Sequence, residues 1–255
     1  MAKDFTFKQF HINAYQCGMP VSTDAILLGA WANIDKATHI LDIGCGTGLL
    51  AIMCAQRNAT ANIVAVEIEK NAYKAACINM ANSPWAKRLS VTHSPIEEFV
   101  NLRSNTIMFD AIICNPPYFN NGLESKNAER AIARHTSSLT HQHLLHYCKL
   151  LLKDQGTASF VLPKDEGLSF IGLLQNSNKH LDDNDTLEVS RFTYVKTTNQ
   201  KPATRVLIEL TKQRKSAEVL ILRVGHLSKS EIIIHEGTGY SSEFIQLTKA
   251  FYLKM

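Results

Sequence analysis

Short apolar runs recur along the chain, bounded by turn residues and separated by longer stretches with helical spacing. Ile40 to Ile43, Asn62 to Glu69, Leu89 to His93, Phe109 to Cys114 and Thr157 to Leu162 read as buried strands. Between them, helices are predicted from Ala25 to Trp31, Leu49 to Arg57, Lys70 to Asn82, after Ser94-Pro95-Ile96, from Thr140 to Leu152 and around Leu168 to Leu174. Strand, loop and helix alternating this regularly predict an α/β protein with a doubly wound, mostly parallel sheet. Thr186 to Val195 and Thr204 to Leu210 are expected as a closing antiparallel pair, giving seven strands in all. Phe5-Thr6-Phe7-Lys8-Gln9-Phe10 alternates apolar and polar and predicts a short strand. The tail predicts a turn over His235 to Tyr240, then an amphipathic helix from Ser241 to Tyr252 docked by Phe244, Leu247, Phe251 and Tyr252.

Composition adds the class. The 255 residues suffice for one large domain with a substantial core, and 45% hydrophobic with 20% charged residues is ordinary for a globular chain. No domain boundary stands out, so residues 1–255 are expected to form one domain with a short N-terminal element and a basic C-terminal elaboration. The six cysteines show no CxxC spacing and sit mostly in apolar runs, which points to buried thiols in a reducing compartment. With no signal-peptide pattern at the start and no bilayer-length apolar stretch, a soluble cytoplasmic protein is expected. Net charge is +4, unevenly spread: residues 191–255 carry 11 Lys/Arg against 5 Asp/Glu. That quarter is a candidate face for a polyanion, densest at Lys196, Lys201, Arg205, Lys212, Arg214 and Lys215, although lysines blunting a solvated hairpin would look the same.

The most distinctive stretch is Asn115-Pro116-Pro117-Tyr118. Two prolines end the strand before them and fix a stiff corner at its carboxyl end, and Pro116 pushes Asn115 into an extended conformation. Open α/β sheets bind ligands at that edge. An exocyclic amine or amide nitrogen is a poor nucleophile because its lone pair is delocalised. The Asn115 side-chain oxygen and the Pro116 carbonyl can each accept one of its N–H groups and aim the nitrogen, while Tyr118 offers a flat face to a ring. A plain Pro-Pro turn with a capping Asn is the competing reading.

A second feature lies upstream. The strand ending at Ile43 runs into Gly44-Cys45-Gly46-Thr47-Gly48, whose glycines permit positive φ and close approach of a ligand to the backbone. The spacing is G-x-G-x-G and lacks the third-glycine position of the dinucleotide fingerprint. Asp42 suits a ligand with a cationic amino group better than a pyrophosphate. Glu67 follows Gly48 by 19 residues at the end of the next strand, where a carboxylate can accept ribose hydroxyls. Beside it stands Ile68, and the turn Ser94-Pro95-Ile96 offers backbone groups to an adenine edge. Thr23 and Asp24 read either as caps of the first helix or as contacts at the amino-acid end of the ligand. After Tyr118, a polar stretch to Thr140 with Lys126, Arg130 and Arg134 is long for a loop and reads as a flap on the substrate side. His141, His143 and His146 lack metal-site spacing, and no metal is expected.

Leu41-Asp42-Ile43-Gly44-Cys45-Gly46-Thr47-Gly48 with Glu67 resembles the S-adenosylmethionine site of Rossmann-like (class I) methyltransferases, and Asn115 to Tyr118 resembles their amine-methylating motif. Phe5 to Phe10, Ser22 to Trp31, Asn79 to Trp85, the stretch Asn115 to Gly122 and Phe251-Tyr252-Leu253 resemble the bacterial tRNA1(Val) (adenine-37-N6)-methyltransferase family, essentially end to end. The resemblance implies a Rossmann-like seven-stranded sheet, S-adenosyl-L-methionine as cofactor and the anticodon stem-loop of a tRNA as partner. It also implies roles. Asp42, Gly44, Gly46 and Gly48 line the methionine part of the cofactor, Glu67 holds its ribose, Asn115 and Pro116 accept the N6 hydrogens, and Tyr118 stacks on the flipped adenine. Lys126, Arg130, Arg134, Lys196, Lys201 and Arg205 are the expected RNA contacts. One departure is Pro95, which follows Ser94 where many relatives carry an adenine-binding Asp; Ser94 or a backbone carbonyl must then take that bond. An N-methyltransferase of the same fold acting on an rRNA or DNA base or on a protein glutamine stays open, as does a non-catalytic RNA-binding module. Against a glutamine methylase, only 22 residues precede Thr23, too few for an added helical domain.

Overall fold

The computed structural model describes residues 3–14, 20–103, 108–117, 139–177, 185–214 and 229–254. The central strands are β3 (His39–Ile43), β4 (Asn62–Glu67), β5 (Leu89–His93), β6 (Phe109–Cys114), β7 (Leu152–Pro163), β8 (Asp185–Thr198) and β9 (Arg205–Arg214). They form one sheet in the order β8-β9-β7-β6-β3-β4-β5. Pairing is parallel from β7 through β6, β3 and β4 to β5. Only β9 runs against the others. It pairs antiparallel with both β7 and β8, so β8 is restored to the common direction. The expected closing pair is therefore one reversed strand inserted between two forward ones.

Two further strands extend the edge. β10 (Lys229–Glu236) pairs parallel with β8, and β11 (Gly239–Tyr240) turns back on β10, so the sheet has nine strands among the described residues. The turn predicted over His235 to Tyr240 is the β10–β11 connection, and the strand that precedes it was not predicted. Ile232 is buried there, but a lone apolar triplet at a sheet edge carries little period-2 signal.

Alternate residues of the central strands feed two cores. On one face Ile40, Ile63, Ala65, Ile113 and Val161 pack under α1 (Thr23–Trp31), α2 (Leu49–Arg57) and the end of α3 (Lys70–Ala81). On the other, Leu41, Ile43, Ile112, Phe160 and Ile208 pack under α4 (Ile96–Arg103), α5 (His141–Leu151) and α6 (Lys164–Ser177). Burial on both faces explains why these strands read as continuous apolar runs. Close approach is needed where α1 meets α2, since a Cβ on Gly29 would lie 2.7 Å from Met53 Sδ.

The amino-terminal stretch departs from the predicted single strand. Phe5–Thr6 (β1) pairs antiparallel with His11–Ile12 (β2). The turn between them is closed by Phe7 N–H donating to the Phe10 carbonyl at 2.9 Å. A straight strand would place Phe10 on the face opposite Phe5 and Phe7. The hairpin brings all three into one cluster, with Phe7 and Phe10 stacked at 4.5 Å. At the other end of the chain α7 (Ser242–Thr248) docks through Phe244 and is shorter than the predicted helix.

At the amino ends of β3 and β6 a single carboxylate ties the sheet. Asp110 Oδ2 accepts from the Thr38 amide (2.9 Å), the Thr38 hydroxyl (2.7 Å) and the His39 amide (2.9 Å), and Oδ1 accepts from the Lys153 ammonium (2.6 Å). Burial pushes the Asp110 carboxyl up, but Lys153 and these donors outweigh it and hold it well below the usual carboxylate range. Asp110→Ala is expected to lower stability by about 3 kcal/mol, and hence the thermal midpoint by roughly 6–12 °C. Calorimetry checks this, with ligand affinity at the opposite edge unchanged.

Candidate functional site

The glycine loop leaves β3 at the carboxyl edge of the sheet. Gly44, Gly46 and Gly48 all have positive φ, at 68°, 56° and 82°. The Gly44 and Cys45 amides donate to the Val66 carbonyl at 2.9 and 3.1 Å, which folds the loop against β4. A Cβ added at Gly44 or Gly46 would meet nothing within 4 Å, so there is open space where a ligand can lie on the backbone. Gly48 is different: its Cβ position is crowded by Met80 and Ala76, and it serves as the left-handed N-cap of α2.

Glu67, at the end of β4, is nearly buried and braces the loop. Its Oε2 accepts from the Gly46 amide at 2.7 Å and its Oε1 from the Glu69 amide at 2.8 Å. Each carboxylate oxygen keeps a second lone pair, so the residue can still accept a hydroxyl. Next to it Ile68 is exposed, and its carbonyl contacts His93 Nε2 at 3.0 Å. Ser94 donates its amide to the Glu67 carbonyl at 3.1 Å and its hydroxyl to the Pro95 carbonyl at 3.0 Å. Pro95 and Ile96 open α4, with the Phe99 amide donating to the Pro95 carbonyl. The Ser94 hydroxyl is thus directed along its own turn, next to the position expected for an adenine contact.

Asp42 stands differently from the sequence expectation. It is wholly buried beneath the loop and presents no surface to the crevice. Its Oδ2 accepts from the Ala51 amide at 3.0 Å, capping the start of α2 from outside the helix, while Oδ1 has no hydrogen-bond partner. Burial pushes its carboxyl up to about 8, the Ala51 bond opposing and the Glu67 charge adding.

The proline corner shares this edge. β3 and β6 pair in parallel register up to Asp42↔Ile113. The glycine loop leaves β3 and the Asn115 corner leaves β6 just beyond that pairing, at the same edge of two adjacent strands. Pro116 is buried, Asn115 half-buried and Pro117 exposed. Tyr118, Lys126, Arg130 and Arg134 lie outside the described residues, as does the expected flap.

Thr23 and Asp24 sit at the start of α1, but Ser22 is the cap, its hydroxyl accepting from the Ala25 amide at 3.1 Å. Thr23 hydrogen-bonds Tyr252 of the tail. Asp24 accepts from Arg205 Nε at 2.8 Å, so a residue expected at the cofactor and one expected at RNA are bonded to each other. The other cations divide similarly. Lys196 pairs with Glu231 at 2.8 Å across β8 and β10, and Lys201 is exposed in the β8–β9 turn. Lys212 is buried, donating to the Lys149 and Leu152 carbonyls and pairing with Asp185 at 2.9 Å, which removes it from any polyanion face. The hairpin geometry separates the rest: Lys196, Lys201 and Arg205 flank the carboxyl edge, while Lys212 and Arg214 lie at the far end of β9.

The rings of His141, His143 and His146 pack against Phe170 or Tyr147. Among the described residues no group of three or more His, Cys, Asp or Glu is placed to hold a metal ion, and no helix is long and apolar enough to cross a membrane. Sequence reasoning gave no role to Asn79, which is 2% exposed in α3. Its side chain donates to the Thr47 carbonyl inside the glycine loop at 2.9 Å. A polar residue on the buried face of an otherwise apolar helical pattern was the available signal.

An open-edged parallel sheet, a glycine loop, an acidic residue ending the next strand and an Asn-Pro corner alongside define a methyltransferase of the Rossmann-like class. Residues 22–167 match the family model "Methyltransferase small domain". Among solved structures the fold is similar to a predicted O-methyltransferase from Agrobacterium tumefaciens (TM-score 0.65, 17% identity, 89% of this chain and 96% of that one). It is also similar to the precorrin-6y C5,15-methyltransferase of Geobacter metallireducens (TM-score 0.50, 14% identity, 79% and 93%). Among curated proteins, the chain is 48% identical over 255 residues to the tRNA1(Val) (adenine(37)-N6)-methyltransferase of Aliivibrio fischeri strain MJ11, covering all of both chains. It is 47% identical over 253 residues to that of Vibrio campbellii, covering 99% and 97%. The chain belongs to the tRNA1(Val) (adenine(37)-N6)-methyltransferase family.

The Asp42 position carries a pH signature. A carboxyl held near 8 in the fold and near its ordinary value when unfolded binds more protons in the folded state between those limits. The resulting stabilisation is complete below the ordinary value and is lost as pH rises through about 8. Ligand-free protein is therefore expected to lose stability from about pH 5 to 8, by up to about 1.4 kcal/mol per pH unit. Asp42→Asn should flatten that dependence in denaturant titrations at both pH values.

Proposed function

We propose that this chain is an S-adenosylmethionine-dependent tRNA methyltransferase that places a methyl group on N6 of adenosine 37 of tRNA1(Val), and that it works in the cytoplasm as a single domain. The observation that supports the reading is the parallel pairing of β3 with β6, adjacent strands whose carboxyl ends lead into the glycine loop and the Asn115 corner. The full-length likeness to curated relatives supports the substrate.

The residues fit the cofactor. Gly44 and Gly46 leave open space over the loop for the methionine part, and Glu67 retains acceptor capacity for the ribose hydroxyls. Ile68 offers an exposed apolar face to the adenine ring, and the Ser94-Pro95-Ile96 turn borders it. Gly48, Thr23 and Asp24 shape the site indirectly, the first as a helix cap and the others at the start of α1. When bound, S-adenosylmethionine supplies a methyl group already activated on a sulfonium.

Positioning is then the main task left to the protein. Asn115 Oδ1 and the Pro116 carbonyl accept the two N6 hydrogens of an extruded adenine, holding the amine with its lone pair toward the methyl group. Extrusion costs a few kcal/mol, and an aromatic stack of the kind expected from Tyr118 returns roughly 1–3 kcal/mol. On the RNA side, Lys201 is the exposed cation of the β8–β9 turn, with Lys196 and Arg205 behind it in their ion pairs. The ends of β6 and β8 are three strand spacings apart, about 14 Å, within the footprint of a few nucleotides.

Methyl transfer from tritiated cofactor to bulk tRNA, followed by nucleoside mass spectrometry, should yield N6-methyladenosine; N6-methylation of rRNA or DNA instead, or no transfer, would displace this reading. Asn115→Ala should lower turnover by about 100-fold or more, the scale of losing a donor or acceptor in a reacting site. Calorimetric affinity for S-adenosylmethionine should stay within about threefold of wild type in that variant, and loss of cofactor binding would remove the assigned role.

A further inference from the structure

Three stretches far apart in the chain, Phe5 to Phe10, Asn79 to Trp85 and Phe251 to Leu253, carry no reacting group, yet they meet in one place. Lys8 donates its amide to the Phe251 carbonyl at 2.8 Å, and Tyr252 sets its ring edge-on to Phe5 at 6.0 Å. Phe10 lies edge-on to Trp85 at 6.1 Å. These contacts fasten the β1–β2 hairpin between α3 and the tail. The strand then leads into Asn13, which is clamped by Asn79: the Asn13 amide donates to Asn79 Oδ1 at 2.9 Å, and Asn79 Nδ2 donates back to the Asn13 carbonyl at 3.1 Å. Asn79 Nδ2 also donates to the Thr47 carbonyl at 2.9 Å. Next to this clamp the Ala14 amide donates to Asp4 Oδ1 at 2.8 Å, closing the hairpin on itself.

Thr47 stands between Gly46 and Gly48. A loop with glycine at alternate positions has few side chains to hold it and many backbone conformations open to it. Two side chains restrain this one, Glu67 at the Gly46 amide and Asn79 at the Thr47 carbonyl. We infer that Asn79 is a positioning residue for cofactor binding, which fixes the glycine loop through Thr47 and is itself locked by the amino-terminal segment at Asn13. Fixing the loop before the ligand arrives removes an ordering cost from the binding step. The inference rests on the cofactor site proposed above. It goes further by making the amino-terminal hairpin and the carboxyl-terminal tail part of that site's support.

Three full-length variants test it. Asn79→Leu removes both donors and the acceptor. Asn79→Asp keeps an acceptor for the Asn13 amide but loses the donors to Thr47 and Asn13. Asp4→Ala, at an exposed position, removes the acceptor of the buried Ala14 amide without altering a core side chain. Isothermal titration with S-adenosylmethionine is expected to show Kd raised about tenfold or more in both Asn79 variants and about threefold in Asp4→Ala. The matching kinetics should show KM for the cofactor rising by similar factors, with kcat at saturating cofactor and KM for tRNA within twofold of wild type. A purely structural role would lower the thermal midpoint without that split. Cofactor Kd within twofold of wild type in a folded Asn79 variant overturns the inference, as does a fall in kcat with cofactor affinity intact. Should neither Asn79 variant fold, an unchanged cofactor Kd in Asp4→Ala overturns it. Wild-type protein that fails to bind the cofactor would overturn the proposed function and this inference with it. Wild-type binding with unaltered variants overturns the inference alone.

Discussion

Side-by-side parallel pairing of β3 and β6 is the constraint on which the site depends. Both strands are buried on both faces, so neither can slip by one residue without turning apolar side chains into the wrong core. That packing sets the register, and Asp110 adds a tie across the amino ends, bonding Thr38, His39 and Lys153 at once. With that end tied, the carboxyl ends are level, and the glycine loop and the Asn-Pro-Pro corner leave the sheet side by side. Glu67 on the next strand and Asn79 on α3 then hold the loop from two directions.

Buried and half-buried ionisable side chains are used in the same way throughout, to restrain backbone that secondary structure leaves loose. Asp42 and Glu67 each accept main-chain amides around the loop. Lys212 donates to two carbonyls at the end of α5. Arg57 does so at the end of α1, bonding the Gly29 and Ala32 carbonyls at 3.0 and 2.7 Å. Such groups answer the unsatisfied amides and carbonyls at element ends. They also show why a count of cations overstates an RNA-facing surface: several charges of the basic last quarter serve the fold.

The edge of the sheet also explains how two distant parts of the chain reach one site. β9 reverses direction and carries Arg205 to the carboxyl edge, where it meets Asp24 at the start of α1. The tail returns after β10 and β11 to bring Tyr252 to Thr23 on the same helix turn. The start of α1 is thereby fastened by a strand and by the tail, each far from it in sequence.

Local chemistry was enough to read the five parallel strands, the alternation of helices, the glycine loop and the proline corner from the sequence. Each rests on period, turn residues or a proline, all of which act within a few positions. The beginnings and ends of α2, β5 and β6 were legible for that reason. Long-range meetings were not: the hairpin of Phe5 to Phe10, the edge strands β10 and β11, the burial of Asp42 under the loop, the spending of Lys212 and Arg205 on the protein itself, and the bond from Asn79 to Thr47. Whether a carboxylate lines a crevice or sits beneath it depends on which segments pack over it. Tertiary packing decides that, and no nearest-neighbour pattern in the chain encodes it.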